Sequence, residues 1–376
     1  MTSKEQVKQN RLGVFGESVG SIFKKLKANK KALVAVIIIG IFLITGGAYG
    51  FYQYVKVYKK SFKISSGPYI EGREKPKMAP RRLDGVLVKR EEANRFPYAV
   101  MIENLVDVRP QKGLSRASVV YELLAEGGIT RFLAVFSPGE KIKEIWPVRS
   151  ARHYYLEISS EYNALYVHVG GSPQAYEMIS NLKLPVLNEM SADAVYFWRG
   201  PEGMPHNLYT SSDLIEKAIA DKKYQEKMPP KYEMWRFKDE AKKDARPQEE
   251  KTIKIGFAGD YYVEFKYNRD SNSYLRFNGG PAHNDRLTGK QLAPKNVVIQ
   301  RVPAEVNLWE KDRIDLDLTG LGEVFVFRDG EKIEGQWRKK DRLSRTKFFD
   351  KNGREISLNR GQSWVVIVPG ERKVEY

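Results

Sequence analysis

The chain of 376 residues contains no cysteine. Without a thiol it cannot form a structural disulfide, a thiolate zinc site or a catalytic cysteine nucleophile. It also offers no cysteine to which a lipid anchor could be attached. This absence fits an exported bacterial protein that does not depend on disulfides for its stability.

Histidine is scarce as well, and the four that are present do not have the spacing of metal ligands. No pair has the H-x-x-x-H spacing of a helical zinc site, and none has a carboxylate at a diagnostic offset. The sequence therefore predicts no metal site and no cofactor. The histidines are His153, His168, His206 and His283.

Nucleic-acid-binding fingerprints and internal repeats are also missing. The net charge of +17 suggests anionic surroundings, such as lipid headgroups, an acidic cell-wall polymer or nucleic acid. However, the arginines do not form a contiguous basic stripe, which argues against nucleic acid. We therefore expect no nucleic-acid partner. The sequence does not identify a protein partner.

One long apolar run is present near the start of the chain. From Ala32 to Tyr52 it reads ALVAVIIIGIFLITGGAYGFY, without a charge. About 20 helical residues span the hydrocarbon core of a bilayer, so residues 32–54 are predicted to form a transmembrane helix in the cytoplasmic membrane. A short basic head before such a span usually stays inside, which predicts a single-pass protein with a cytoplasmic N-terminus and extracytoplasmic domains. A cleaved signal peptide is the alternative, although the run is long for a signal core.

The remaining segments differ in composition. Residues 1–31 form a basic cytoplasmic head, and residues 55–95 are rich in Lys, Arg, Pro and Gly, as expected of a tether. Residues 96–225 mix strand and helix patterns. Residues 226–251 are charged and contain proline, which indicates a linker. Residues 252–376 alternate apolar and polar residues with period two, as in strands.

The local patterns predict individual elements. Pro97–Glu103 and Thr130–Phe136 have the composition of buried strands, residues 150–162 and 213–223 have that of helices, and Asp329-Gly330 is a hairpin-turn signal. The predicted fold class is α+β. It has an N-terminal transmembrane helix, then a mixed α/β-type domain and a mostly antiparallel β domain at the C-terminus.

Several long runs are specific enough to carry a family resemblance. In the first folded region they are VMIENLVDVRPQKGL, YELLAEGGITRF, PVRSARHYY, VHVGGSPQA and PHNLYT; in the second they are NVVIQ, FRDGEKIEGQW and DKNGREISLNRGQSWVVIVP. The first set resembles the YerB-like family of bacterial envelope proteins, a domain of unknown function. The second set resembles the companion C-terminal domain of that family.

The resemblance covers most of residues 95–376. It implies an N-terminal α/β-type domain and a C-terminal β domain, both exposed outside the cytoplasmic membrane. Many relatives are described as lipoproteins, whereas this chain has no cysteine and would use the uncleaved helix as its anchor. The resemblance supplies no established activity and no cofactor.

A serine nucleophile is the first chemistry to consider. Gly170-Gly171-Ser172 follows a predicted strand and precedes a predicted helix, as in a nucleophile elbow. Pro173 comes next, and proline lacks the backbone N–H that an oxyanion hole needs at this position. Ser172 is therefore predicted to cap the helix rather than to attack a substrate.

Paired carboxylates are the second possibility. Glu103 ends one predicted strand, and Glu122 and Glu126 lie near the end of another. Two such groups could act as acid and base in glycan chemistry. The competing interpretation, which we favour, is that they form ion pairs with nearby arginines. Whether the protein is an enzyme stays open, with a preference against it.

Anion binding is the third possibility, because arginines fall near the ends of the predicted elements. A guanidinium group binds phosphate or carboxylate through two parallel hydrogen bonds. Structural salt bridges are the alternative role for the same residues. The candidate ligand-binding residues are Arg109, Glu126, Arg131, Arg149, Arg152, His153, His168, Ser172, His206 and Asn207.

These patterns lead to one functional hypothesis and two alternatives. The first is a membrane-anchored extracytoplasmic protein that binds an anionic or glycan ligand of the cell envelope. The second is an enzyme that processes envelope glycan with paired carboxylates. The third is a scaffold that binds other membrane proteins through its β domain.

Overall fold

Strands dominate the part of the chain that the computed structural model describes, which comprises residues 77–227, 232–307, 313–370 and 372–376. Lys75–Tyr376 form one compact unit. In chain order, the strands are β1 (Met78–Pro80), β2 (Leu87–Lys89), β3 (Tyr98–Glu103), β4 (Val119–Leu124), β5 (Thr130–Phe136), β6 (Leu165–His168), β7 (Val186–Asn188), β8 (Trp198–Arg199), β9 (Leu208–Tyr209), β10 (Phe237–Lys238), β11 (Thr252–Ile255), β12 (Val263–Asn268), β13 (Ser273–Asn278), β14 (Asn296–Val302), β15 (Ala304–Asn307), β16 (Arg313–Leu316), β17 (Gly320–Arg328), β18 (Glu331–Lys339), β19 (Lys347–Asp350), β20 (Leu358–Asn359), β21 (Ser363–Pro369) and β22 (Val374–Glu375).

Helices are few in this part of the chain. Short 3-10 turns connect several strands, and two of them, Glu126–Gly128 and Gly259–Tyr261, lie close to residues discussed below. The α-helices are α1 (His153–Ser160), α2 (Pro173–Leu182), α3 (Ser212–Asp221) and α4 (Tyr224–Lys227).

A ten-stranded sheet joins the first and the second folded regions. Its strand order is β19-β18-β17-β14-β21-β4-β5-β3-β6-β7. Strand β21 is central to the junction, because Trp364 pairs in parallel with Val297 of β14 and with Val120 of β4. Every residue of β3, β4 and β21 is buried, as expected for strands that are covered on both faces. A smaller antiparallel sheet has the order β13-β12-β11-β22.

The hairpin between β17 and β18 shows how local sequence sets the register. Asp329 and Gly330 both have positive φ, at 54° and 75°, and they connect Arg328 to its partner Glu331. A two-residue turn with positive φ at both positions matches the right-handed twist of paired strands. The predicted hairpin turn is therefore present.

The predicted fold class, α+β with an N-terminal transmembrane helix, is wrong. The described residues are mostly β with few helices, and the strands of both regions meet in one mixed sheet. None of the helices found in the described ranges is long and apolar enough to cross a membrane. The segment for which the span was predicted, residues 32–54, lies outside the described residues, as does the basic head. The fold class was missed because periodicity predicts single strands but does not say which strands pair.

The sheet brings the ends of several strands to one edge. Strands β3 and β6 are parallel, and β5 lies antiparallel between β3 and β4. The carboxyl ends of β3, β4 and β6 therefore share an edge with the amino end of β5. Ligands often bind beyond the carboxyl ends of parallel strands, where the loops leave a crevice.

Candidate functional site

Six charged or polar side chains meet at this edge of the sheet, and we call them the arginine–carboxylate cluster. Glu103 is the last residue of β3, and Arg131 stands opposite it in β5. The turn between β4 and β5 contributes Glu126, and the segment before α1 contributes Arg149 and Arg152. The loop between β8 and β9 adds the sixth member, His206.

Glu126 is held by two arginines. The Nε of Arg152 donates a hydrogen bond to one carboxylate oxygen, and Arg131 Nη2 lies 3.3 Å from the other. Partial burial acts to raise the pKa of Glu126, but the hydrogen bond from Arg152 and the charge of Arg131 outweigh it and hold that pKa below its ordinary value. Glu126 is therefore an ionised carboxylate at neutral pH.

Glu103 is held by an arginine and a histidine. Its Oε1 lies 3.2 Å from Arg149 Nε, and its Oε2 lies 2.8 Å from His206 Nδ1. The Glu103 side chain is 5% exposed, whereas that of His206 is 28% exposed. The loop that carries His206 is fixed in turn, because Arg149 Nη1 donates to the carbonyl of Pro205.

The charges of the cluster do not cancel. Three guanidinium groups face two carboxylates, which leaves one positive charge in excess. Arg131 Nη1 is buried and has no hydrogen-bond partner among the described residues. Burial lowers the pKa of Arg149, and the nearby Arg131 and Arg152 lower it further despite the opposing effect of Glu103. Arginine stays protonated in proteins, so the site keeps its excess charge and an unused donor.

Arg109 does not join this cluster. Its guanidinium group donates to the carbonyl and side-chain oxygens of Asn104 and to the carbonyl of Asp260, and it lies 4.9 Å from the centre of the Tyr261 ring. These contacts bind the end of β3 to the turn before β12. Arg109 therefore connects two parts of the chain.

His168 and Ser172 are engaged within the β6–α2 connection. His168 is fully buried, its Nδ1 donates to the carbonyl of Gly170, and burial lowers its pKa to about 4. The hydroxyl of Ser172 accepts a hydrogen bond from Ala175 N at 3.2 Å and caps α2. The predicted helix cap is confirmed, and neither side chain contacts the cluster in the structure.

His153 and Asn207 lie next to cluster residues in the sequence but have other partners. His153 Nε2 is 3.1 Å from Asp315, and burial lowers the pKa of His153. The amide oxygen of Asn207 accepts a hydrogen bond from Arg199 at 2.9 Å. They flank the site without adding a charge to it.

Glu122 is a candidate carboxylate that lies outside the arginine–carboxylate cluster. It is fully buried and accepts two hydrogen bonds of 2.8 Å from Arg276, which is also fully buried. Trp364 Nε1 donates to the same carboxylate at 3.0 Å. The favoured ion-pair interpretation therefore holds for Glu122, whose partner comes from β13, more than 150 residues further along the chain.

The Glu122–Arg276 pair belongs to a buried polar network that the sequence did not reveal. The guanidinium group of Arg276 contacts His283 Nδ1, and His283 Nε2 lies 2.7 Å from the amide oxygen of Gln111. Gln111 donates to the carbonyl of Glu103 and to Asn104 Oδ1. The network thus supports the end of β3 from which Glu103 reaches the cluster. The only sequence signal was a charged residue in the apolar pattern of β13.

No set of three or more His, Asp or Glu side chains is positioned to hold a metal ion within the ranges that the structure describes. An apolar cavity of about 320 Å³ exists elsewhere, and its lining includes Leu156, Tyr166, Leu182 and Leu343. None of the six cluster residues lines it. The charged site and this cavity are therefore separate features.

The comparisons with known proteins agree with this architecture. Residues 83–225 match the family model described as the N-terminal domain of a protein of unknown function (DUF3048), and residues 253–365 match its C-terminal domain. A Bacillus subtilis protein described as "Putative lipoprotein YerB" is 33% identical over 76% of this chain and 85% of its own length. The crystal structure of YerB protein from Bacillus subtilis has a TM-score of 0.68 and 31% identity, and covers 78% of this chain and 99% of that one. The chain therefore belongs to the YerB-like DUF3048 family.

Proposed function

We propose that this protein is associated with the outer side of a bacterial membrane and binds an anionic ligand of the cell envelope at the arginine–carboxylate cluster. The location is supported by the relative described as a lipoprotein, since lipoproteins are held at membrane surfaces. The ligand class is supported by the excess guanidinium group and by the buried, unpartnered Nη1 of Arg131.

The geometry favours an oxyanion such as phosphate or carboxylate. Arginine forks bind these groups through charge-assisted hydrogen bonds. The side chains of Arg149 and Arg152 are 16% and 15% exposed, so each remains partly open to solvent. Burial also weakens the competition from water and salt for a bound anion.

Acid catalysis by Glu126 finds less support. A general acid needs a raised pKa so that it carries a proton at neutral pH. The pKa of Glu126 is lowered by its arginine partners, despite the opposing effect of burial. Glycan cleavage with Glu126 as the acid is therefore disfavoured, whereas the ionised carboxylate can orient the arginines around a ligand.

The test is calorimetric titration of the purified full-length protein with inorganic phosphate and with a phosphate-containing cell-wall polymer. The variant is Arg149→Ala/Arg152→Ala. Hydrogen bonds to charged groups contribute roughly 1.5–3 kcal/mol each, so the loss of two arginines should weaken binding by at least about 100-fold.

The matched control is Arg338→Ala/Arg354→Ala, which removes two exposed arginines outside the cluster and changes the net charge equally. It should bind like the wild type. Equal binding by the wild type and the Arg149/Arg152 variant would show that the cluster is not the site. Equal weakening by both variants would show that only net charge matters.

A further inference from the structure

The contact between Glu103 and His206 determines which nitrogen of the imidazole carries a proton. Glu103 is paired with Arg149, and an ionised carboxylate can only accept hydrogen bonds. The facing nitrogen, His206 Nδ1 at 2.8 Å, must therefore carry a proton. In the neutral imidazole this leaves a lone pair on Nε2, as in acid–base histidines that a carboxylate orients.

The second imidazole nitrogen, Nε2, is available to accept a proton. His206 Nε2 has no hydrogen-bond partner among the described residues, and the side chain is partly exposed. The backbone around it is held firmly, because Trp146 Nε1 donates to the His206 carbonyl at 2.7 Å and His206 N donates to the Gly203 carbonyl at 2.9 Å. A positioned ring with a free lone pair is what a general base requires.

The positive charges lie beside this base. Arg149 contacts both Glu103 and the carbonyl of Pro205, the residue before His206. Arg131 and Arg152 are close enough to lower the pKa of Arg149. An anion that binds Arg149 would therefore lie next to the imidazole, with further guanidinium groups available to neutralise negative charge on a phosphoryl group.

We propose that the cluster hydrolyses a phosphate ester, with His206 as the acid–base residue and Glu103 as its positioning residue. This rests on the proposed anion site. His206 Nε2 takes a proton from water while the water oxygen forms a bond to phosphorus. The ester P–O bond breaks, and the imidazolium returns the proton to the departing alkoxide. The products are an alcohol and a phosphate, and the arginines stabilise the charge on the non-bridging oxygens.

The experiment measures turnover of p-nitrophenyl phosphate, a monoester, and of bis(p-nitrophenyl) phosphate, a diester, by the full-length protein. The decisive variant is His206→Asn. Its amide nitrogen can take the place of Nδ1 and keep the hydrogen bond to Glu103, but nothing replaces Nε2. General acid–base catalysis contributes about 100-fold or more, so kcat should fall by at least that factor. Calorimetry should find the affinity of the variant for inorganic phosphate unchanged.

A second variant, His206→Ala, removes the whole ring and should regain turnover when imidazole is added. Turnover of neither ester by the wild type, or equal turnover by wild type and His206→Asn, would overturn the proposal. It would also be overturned if His206→Asn lost phosphate binding, because His206 would then be a ligand-binding group. Intact phosphate binding without turnover would reject the hydrolysis and leave the proposed anion site standing.

Discussion

Replacement of Glu122 by glutamine tests whether the buried ion pair holds the smaller antiparallel sheet against the ten-stranded sheet. In the native protein, Arg276 Nη2 donates to both oxygens of Glu122, and both side chains are fully buried. Glutamine has nearly the same shape but no charge. One of its two positions is an NH₂ donor, which would face Arg276 in either orientation and, in one of them, the indole N–H of Trp364 as well.

The expected loss of stability arises because the variant leaves the Arg276 guanidinium group buried without a charged partner. Water cannot solvate Arg276, and its other near neighbours include the faces of the Trp364 and Phe132 rings, at 4.6 Å and 5.4 Å from the guanidinium carbon to the ring centres. Breaking a buried pair and leaving one charge behind typically costs about 3–5 kcal/mol. We therefore expect Glu122→Gln to lower the free energy of unfolding by that amount.

Equilibrium urea unfolding of the full-length protein, followed by tryptophan fluorescence, measures this quantity. The control is Glu331→Gln, which breaks an exposed pair with Lys251 and should change stability little. The double variant Glu122→Gln/Arg276→Met removes both charges and should be more stable than the single variant, since no unpaired charge remains. A loss below about 1 kcal/mol for Glu122→Gln, the level of a surface pair, would refute the reasoning.

Two further predictions concern stability. His168 is buried and neutral in the fold, and its pKa of about 4 is below the unfolded value of 6.5. The favourable contribution of neutral His168 to the free energy of unfolding is therefore fully present above pH 6.5, and about 3 kcal/mol of it is lost as the pH falls to 4. His168→Asn, which can keep the donor to the Gly170 carbonyl, should flatten that part of a stability–pH curve measured by urea unfolding, and an unchanged slope would exclude His168 as the cause. Gly330→Ala should cost roughly 1–3 kcal/mol, because φ is positive and the new Cβ would lie 2.5 Å from the Tyr267 ring. Gly353→Ala, with φ +74° and open space around it, is the control; equal losses in thermal melts of the two variants would show that the contact with Tyr267 adds nothing.

Local elements followed from the sequence because their causes are local. The run PYAVMIE predicted a buried strand, and β3 (Tyr98–Glu103) has every residue buried. Asp329-Gly330 predicted a hairpin turn, and Ser172 with Pro173 predicted the start of α2. In each case neighbouring residues set the backbone conformation, whether by steric restriction, capping or turn geometry.

The candidate site was predicted only in part. Arg131, Arg149, Arg152, Glu126, Glu103 and His206 were all among the candidates, because polar residues at element ends are often functional. Their convergence was not predictable, since it depends on β5 lying between β3 and β4 and on the β8–β9 loop reaching Glu103. The same patterns also selected Arg109 and His168, which the fold places in other contacts.

The sequence by itself determined several of the strands and helices, among them β3 and the start of α2, as well as which residue types are absent and which family the chain resembles. Only the tertiary structure decided that β21 lies between β14 and β4, that Glu122 pairs with Arg276, and that three arginines share two carboxylates. The physical reason is the range of the interactions. Turns, caps and periodicity act over a few residues, whereas strand pairing and buried ion pairs depend on burial that forms when distant segments pack together.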